Sequence, residues 1–413
     1  MVAVFTALAV GFKLPMGLAI ALAALAGAIV GGQGFALRHL VEGAFGFFDV
    51  ILIIATAMIF MKVLEESGLL DSLVAGILRT FYRRKVALLL TVMLLLMFPG
   101  MITGSSLAAV LSTGPLIAPV LMKLGLSRLR TGAFVAMGSV LGMIAPPVNI
   151  LIMIMGAGVD MPYTGLTVPL LLATVPAAIV IALGLGLGKV RVISAEEMRD
   201  LLPPVRTSKR GIVLYLPILL VLVLMVLQNL DVPFFPTLGL PAIFILGSLT
   251  GMVCGRRFNV LKASQAAIAQ AVPILSILAG VGMFIQIMTL TGGRGWLVTS
   301  FLSLPAALVY AGVAAGLPLF GGVSAYGSAS VLGVPFLLAL AGNNALITAS
   351  ALSAIVGIGD LMPPAAMAAR FSAQVVGEPN VFKVLRQCLL PALLLLAVGI
   401  GMLLAAPFLD KFM

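Results

Sequence analysis

Lys123-Leu124-Gly125, Thr131-Gly132 and Gly142-Met143-Ile144-Ala145-Pro146-Pro147 read as the approach to, and the break of, one apolar helix, and the chain repeats them. The second copy is Ala341-Gly342, Thr348 and Gly359-Asp360-Leu361-Met362-Pro363-Pro364. At an offset of 217 residues, Gly125, Thr131, Gly142, Pro146 and Pro147 fall on Gly342, Thr348, Gly359, Pro363 and Pro364. A Gly/Ser cluster lies upstream of each copy, Gly104-Ser105-Ser106 and Gly327-Ser328-Ala329. Interrupted hydrophobic segments at corresponding places in two halves point to the binding region of a secondary transporter. A weaker match pairs Phe60 and Gly68 with Phe284 and Gly292 at an offset of 224.

Composition sets the compartment. Of 413 residues, 62% are hydrophobic and 9% charged, more apolar surface than a water-soluble core can use. Apolar runs of roughly 18 residues or more read as membrane spans. The apolar start, Met1 to Val10, has no basic flank or cleavage site and reads as a retained span. A net charge of +11 fits basic residues held on the cytoplasmic face and needs no nucleic acid. Two cysteines, Cys254 and Cys388, and one histidine, His39, exclude a Cys- or His-rich metal centre. His39 is expected in a loop.

The expected fold is an all-α polytopic membrane protein of two inverted repeats, 1–188 and 211–413, joined by a cytoplasmic linker, 189–210. Each repeat holds a re-entrant hairpin (84–122 and 304–341) and a Pro-Pro-broken helix (131–156 and 344–370). Charge decides for hairpins over paired spans. With hairpin tips at mid-membrane, only Arg38, Arg294 and Lys411 of the 24 Lys and Arg residues face outward, and the second half runs opposite to the first. Ten spans result, some of them short. An arm at 68–81 reads as an interfacial helix, and Trp296 anchors its counterpart at 292–303.

Irregular backbone at membrane depth is tolerated where it lines a cavity or is buried in protein. A Pro pair frees carbonyls upstream, which suit Na⁺, and opens a helix N-terminus downstream, which suits an anion. One cation-binding set is therefore Thr103, Gly104 and Ser105 with Gly142 and Pro146. The other is Ser324 and Gly327 with Gly359, Asp360 and Pro363. Ser105, Ser106, Asn149 and Ser328 are candidates for the substrate. The plain alternative is that Ser and Gly only allow close helix packing. Asp360 stands out because a carboxylate inside an apolar helix is costly and by default functional. It ligates Na⁺ or carries H⁺, unless it only caps the broken helix. Glu65, Glu66 and Asp71 read as solvated acids at a cytoplasmic helix end. Asp49 reads as a cap.

The run Pro99-Gly100-Met101-Ile102-Thr103-Gly104-Ser105-Ser106, then Gly114-Pro115-Leu116-Ile117-Ala118-Pro119 and the Ile144-Ala145-Pro146-Pro147 break, resembles the large membrane subunit of tripartite ATP-independent periplasmic (TRAP) transporters. The motif match covers about 97–150, and the architecture agrees over nearly the whole chain. The resemblance implies an elevator-type transporter of the ion-transporter superfamily in a bacterial inner membrane. It implies Na⁺-coupled uptake of an organic acid such as a C4-dicarboxylate or acidic sugar, with no organic cofactor. It also implies a small membrane subunit and a periplasmic substrate-binding protein as partners, within membrane lipid. Two places depart from the usual pattern. Val148-Asn149 follow the first Pro pair where Ser is common, and Leu361-Met362 precede the second where Thr is usual. With Asp360 beside them, the second ion site admits H⁺.

Two other classes compete. A stand-alone symporter of the same superfamily needs no binding protein. An intramembrane aspartyl protease would use Gly357-Ile358-Gly359-Asp360 with Pro391-Ala392-Leu393, but that chemistry needs a second aspartate, and no other falls deep in a span. A nucleotide-driven pump is excluded, because the chain has no G-x-x-x-x-G-K-[ST] loop.

Overall fold

The structure is a computed structural model that describes residues 1–191, 197, 211–229, 238–340 and 342–412, and its regular elements are all helical. Most of the expected linker, 192–196 and 198–210, lies outside the described residues. The first half contains α1 (Val2–Gly11), α2 (Met16–Val30), α3 (Leu37–Phe45), α4 (Phe48–Glu66), α5 (Leu69–Phe81), α6 (Lys85–Thr103), α7 (Ser106–Lys123), α8 (Arg128–Ile144), α9 (Ile150–Ala157) and α10 (Thr167–Gly186). The second contains α11 (Leu216–Asn229), α12 (Gly239–Cys254), α13 (Val260–Leu290), α14 (Gly293–Leu302), α15 (Ala306–Gly321), α16 (Ala325–Ala339), α17 (Ala345–Leu361), α18 (Met367–Val375) and α19 (Val381–Leu409).

The sequence repeat reappears as repeated helix boundaries. Ser127 caps α8 by accepting from the Arg130 N–H; Asn344, at the same offset of 217, caps α17 by accepting from Leu346 and Ile347. After the Pro pairs, α9 and α18 start at Ile150 and Met367, again 217 apart. Gly68 and Gly292, with φ of 81° and 73°, turn the chain from a long helix into an arm, a left-handed conformation that glycine adopts without penalty. Phe60 and Phe284 are fully buried.

The two broken helices run in opposite directions, as α19 demonstrates. Arg128, at the start of α8, donates to the carbonyl of Gly377, just before α19 begins. Asn344, at the start of α17, donates to Asp410, just after α19 ends. A helix of 29 residues separates those two points by about 43 Å. The broken helices therefore enter from opposite faces, and the repeats are inverted.

Five described helices are by themselves long and apolar enough to cross a membrane, and α3 with α4, bent by 45°, would make a sixth. The other apolar helices are shorter, whereas both arms of the first hairpin, α6 and α7, are among the five. One expectation is corrected: His39 lies on α3, beside Glu42, and not in a loop. Residues 37–45 lack a long apolar run but place Leu40 and Gly43 on a buried face. Gly43 meets the backbone of Gly282 so closely that a Cβ at either position would collide. Helices α2, α3, α4 and α13 form one packed body. Hairpin α6–α7 packs with α8, α10, α18 and α19 in a second, and α4 and α13 face the α7 side of that body.

Candidate substrate and cation site

Each hairpin tip is fastened to the break of its own repeat by the main chain. In the first, Gly104 (φ 64°) and Ser105 turn the chain between α6 and α7, and Ser105 caps α7 by accepting from the Ala108 N–H. Val148, the residue after the Pro pair, donates its N–H to Met101 O at 3.1 Å. In the second, Ser324 caps α16 by accepting from the Gly327 N–H, and Ala365 donates to Gly322 O at 2.9 Å. Glycines allow the approach: a Cβ on Gly142 would lie 2.3 Å from Met97 O, and one on Gly359 2.5 Å from the Gly321 Cα. Both Pro pairs, Pro146-Pro147 and Pro363-Pro364, contain a cis peptide bond.

The two breaks differ in how they are finished. At the first, Asn149 is fully buried. Its Oδ1 caps α9 by accepting from Ile152 at 3.1 Å, and its amide donates to Ile144 O at 2.9 Å and to Ser353 Oγ of α17 at 3.1 Å. Tyr163 seals the same break: its hydroxyl donates to Pro147 O at 3.0 Å and accepts from the Asn149 N–H at 2.6 Å. At the second break, Ala366 stands where Asn149 would, with φ 42° and no side-chain cap on α18. Pro363 and Pro364 are exposed.

Between the two packed bodies lies a cavity of roughly 250 Å³. Ser105 and Ser106 of the first tip, Tyr326 of the second tip, Asp360 of the second break and Met367 at the start of α18 line it on one side. Met58 of α4 and Gln270, Pro273 and Ile277 of α13 line the other. Ser106 donates a hydrogen bond to the Asp360 carboxylate. Tyr326 donates to Gly104 O at 3.2 Å, so the two tips touch. Thus Asp360, carried by one repeat, is held by the tip of the other. None of the described lining residues is basic. A narrower cleft shares Met58, Ala108, Leu111 and Gln270 with this cavity and reaches Lys62, which is held by Glu65 at 3.0 Å and Glu66 at 3.5 Å.

The structure therefore gathers Thr103, Gly104, Ser105, Gly142 and Pro146 at the first tip and break. It gathers Ser324, Gly327, Gly359, Asp360 and Pro363 at the second. Of the substrate candidates, Ser105 and Ser106 face the cavity. Asn149 and Ser328 do not: both amide hydrogens of Asn149 are used internally, and Ser328, fully buried, donates to Leu317 O at 2.8 Å within its own hairpin. In this structure both side chains brace the frame. Glu65 and Glu66, expected to be solvated, are half-buried partners of Lys62. Tyr326 and Gln270 were missed. Gln270 is a polar residue inside an apolar helix, the signal that singled out Asp360. Tyr326 is the aromatic residue of the second tip.

Opposed hairpins, two broken helices and, between two helical bodies, a largely apolar cavity holding one acid define a polytopic membrane transporter. A family model described as "Tripartite ATP-independent periplasmic transporter, DctM component" matches residues 1–389. The chain belongs to that family, the large membrane component of the tripartite system. This excludes the protease reading, since the family is one of transporters. Among solved structures, the chain resembles the YdaH transporter of Alcanivorax borkumensis, with a TM-score of 0.67 at 17% identity over 95% of this chain and 98% of that one. It also resembles MtrF of Neisseria gonorrhoeae, with a TM-score of 0.59 at 15% identity over 89% of this chain and 83% of that one, described as illuminating a class of antimetabolite efflux pumps. At these identities the likeness is one of fold. No curated protein matches the chain by sequence.

Proposed function

We propose that the chain imports an organic acid, of the C4-dicarboxylate or acidic-sugar class, driven by a Na⁺ gradient. It would do so in a bacterial inner membrane with a small membrane subunit and a periplasmic binding protein. The observation that carries this reading is a single carboxylate in a cavity whose described lining holds no basic residue. A substrate carboxylate about 5 Å from Asp360 would be repelled by about 3 kcal/mol at an effective dielectric of ~20. That weakens binding by roughly two hundredfold unless a positive charge arrives from solution. A cation beside Asp360 removes the penalty, and anion and cation then bind together or hardly at all.

The anion has a place of its own. The first N–H groups of α18 have no side-chain cap, and Met367 borders the cavity, which supports an anion held at this helix N-terminus. Ser105 and Gln270 would supply further hydrogen bonds, while Ser106 and Tyr326 donate theirs to Asp360 and Gly104. The first cation site would use carbonyls and hydroxyls of Thr103, Gly104, Ser105, Gly142 and Pro146. The second would use Ser324, Gly327, Gly359, Asp360 and Pro363. The cavity lies between the two packed bodies, so sliding the hairpin body along α4 and α13 would carry the site across the membrane, an elevator. Protonation of Asp360 would serve the same electrostatic purpose, which makes H⁺ the second reading for the coupling ion.

The test is uptake of a labelled C4-dicarboxylate and sugar-acid panel into proteoliposomes under an imposed Na⁺ gradient, with and without the two partners. Na⁺-driven uptake that needs all three proteins supports the proposal. Uptake by this chain alone supports the stand-alone symporter. Uptake driven only by a proton gradient moves the coupling to Asp360 and H⁺.

A further inference from the structure

A second cavity, roughly 460 Å³, lies on the far side of the hairpin body, among the start of α8, the end of α10 and the start of α19. Its lining includes Arg130, Arg386 and Gln387 together with the apolar Val180, Gly184 and Leu390. Polar and apolar parts are separated by depth. Leu390 lies one helical turn beyond Arg386, on the same face of α19 and about 6 Å further from the helix start. On α10, Val180 lies a turn deeper than Gly184. Gly184 leaves the gap: a Cβ there would meet nothing within 4 Å. The wall is open to the surroundings, Val180 being 53% and Leu390 78% exposed.

Charge orients this groove. The starts of α8 and α19 share one end of the body, marked by the Arg128 to Gly377 hydrogen bond, and the positive-inside pattern makes that end cytoplasmic. Among the described residues no carboxylate lines the groove, and no ion pair joins Arg130 or Arg386 to an acid. Lys383 nearby does have such a partner, Glu378 at 3.9 Å. Two unpaired guanidinium groups at headgroup level above an apolar slot are complementary to an anion that carries an acyl chain. Basic pockets between spans on the cytoplasmic side bind anionic headgroups, and planar guanidinium groups suit phosphate.

We propose that this groove is a binding site for one anionic phospholipid, its phosphate between Arg130 and Arg386 and an acyl chain along Val180, Gly184 and Leu390. The assignment is independent of the transported substrate. The test is native mass spectrometry of the delipidated full chain titrated with phosphatidylglycerol, phosphatidylcholine or inorganic phosphate. Preferential retention of phosphatidylglycerol over phosphatidylcholine is expected, and that preference should fall by roughly thirtyfold in Arg130→Gln/Arg386→Gln. Arg130→Lys/Arg386→Lys should keep most of it. Gly184→Leu, which adds a helix-favouring side chain to open space, should displace the lipid with both arginines intact and provides a second route if the double variant does not fold. Equal retention of the two lipids, phosphatidylglycerol binding that survives both Gly184→Leu and loss of the arginines, binding of phosphate alone to the same extent, or a co-purifying protein that shields the groove would each overturn the proposal.

Discussion

The first break is closed and the second is open, although both come from the same repeated segment. Asn149 caps one half-helix, ties it to Ser353 of the other repeat and lies under Tyr163. Ala366 does none of this, and the half-helix it precedes starts at the cavity without a cap. A duplicated device has thus been divided. One copy braces the body, and the other leaves its backbone donors uncapped beside the cavity that its one acid lines. The repeat is shared, and two differences within it, an acid at Asp360 and the absence of a cap at Ala366, set the second break apart from the first.

The comparison can be broken most directly at Asp360. Asp360→Asn should cut gradient-driven uptake by more than about a hundredfold while making substrate binding independent of the cation, because the repulsion that enforces joint binding is gone. Transport that still follows the ion gradient in this variant would remove Asp360 from coupling. Closing the closed break less well should cost stability instead. Asn149→Ala leaves a half-helix uncapped and deprives Ser353 of its bridging partner, a loss of about 2 kcal/mol, read as a lower melting temperature with an unchanged KM. A large KM change there would mean that the first break also meets substrate. Ala366→Asn gives the open break the residue of the closed one at a left-handed position that asparagine tolerates. Substrate KM should rise about tenfold as the amide competes for the α18 N–H groups, with little change in thermal stability. Tyr163→Phe should have the smallest effect, about 1 kcal/mol of stability and no change in transport.

Much of the fold was legible because the repeat carries helix punctuation with it. Caps at Ser127 and Asn344, Pro pairs and restarts at Ile150 and Met367 all keep the offset of 217 that the sequence displays. Helix α3 was not legible, since nine amphipathic residues give no apolar run and its burial depends on meeting Gly282 far along the chain. At the site, Asp360 announced itself by the cost of its charge. Asn149 was legible as a polar residue past the break but its partners were not, because its amide both caps α9 and donates to Ile144 and to the distant Ser353. The crossing of Tyr326 to Gly104 and of Asp360 to Ser106 links opposite repeats, and no local spacing encodes a contact between segments more than 200 residues apart.

The bonds that fasten each hairpin tip to its break, Val148 to Met101 and Ala365 to Gly322, run from main chain to main chain. Side-chain replacement leaves them in place, with proline at 148 or 365 the exception, since it would remove the donor. Side chains around the cavity can therefore be exchanged while the frame that presents them stays in place.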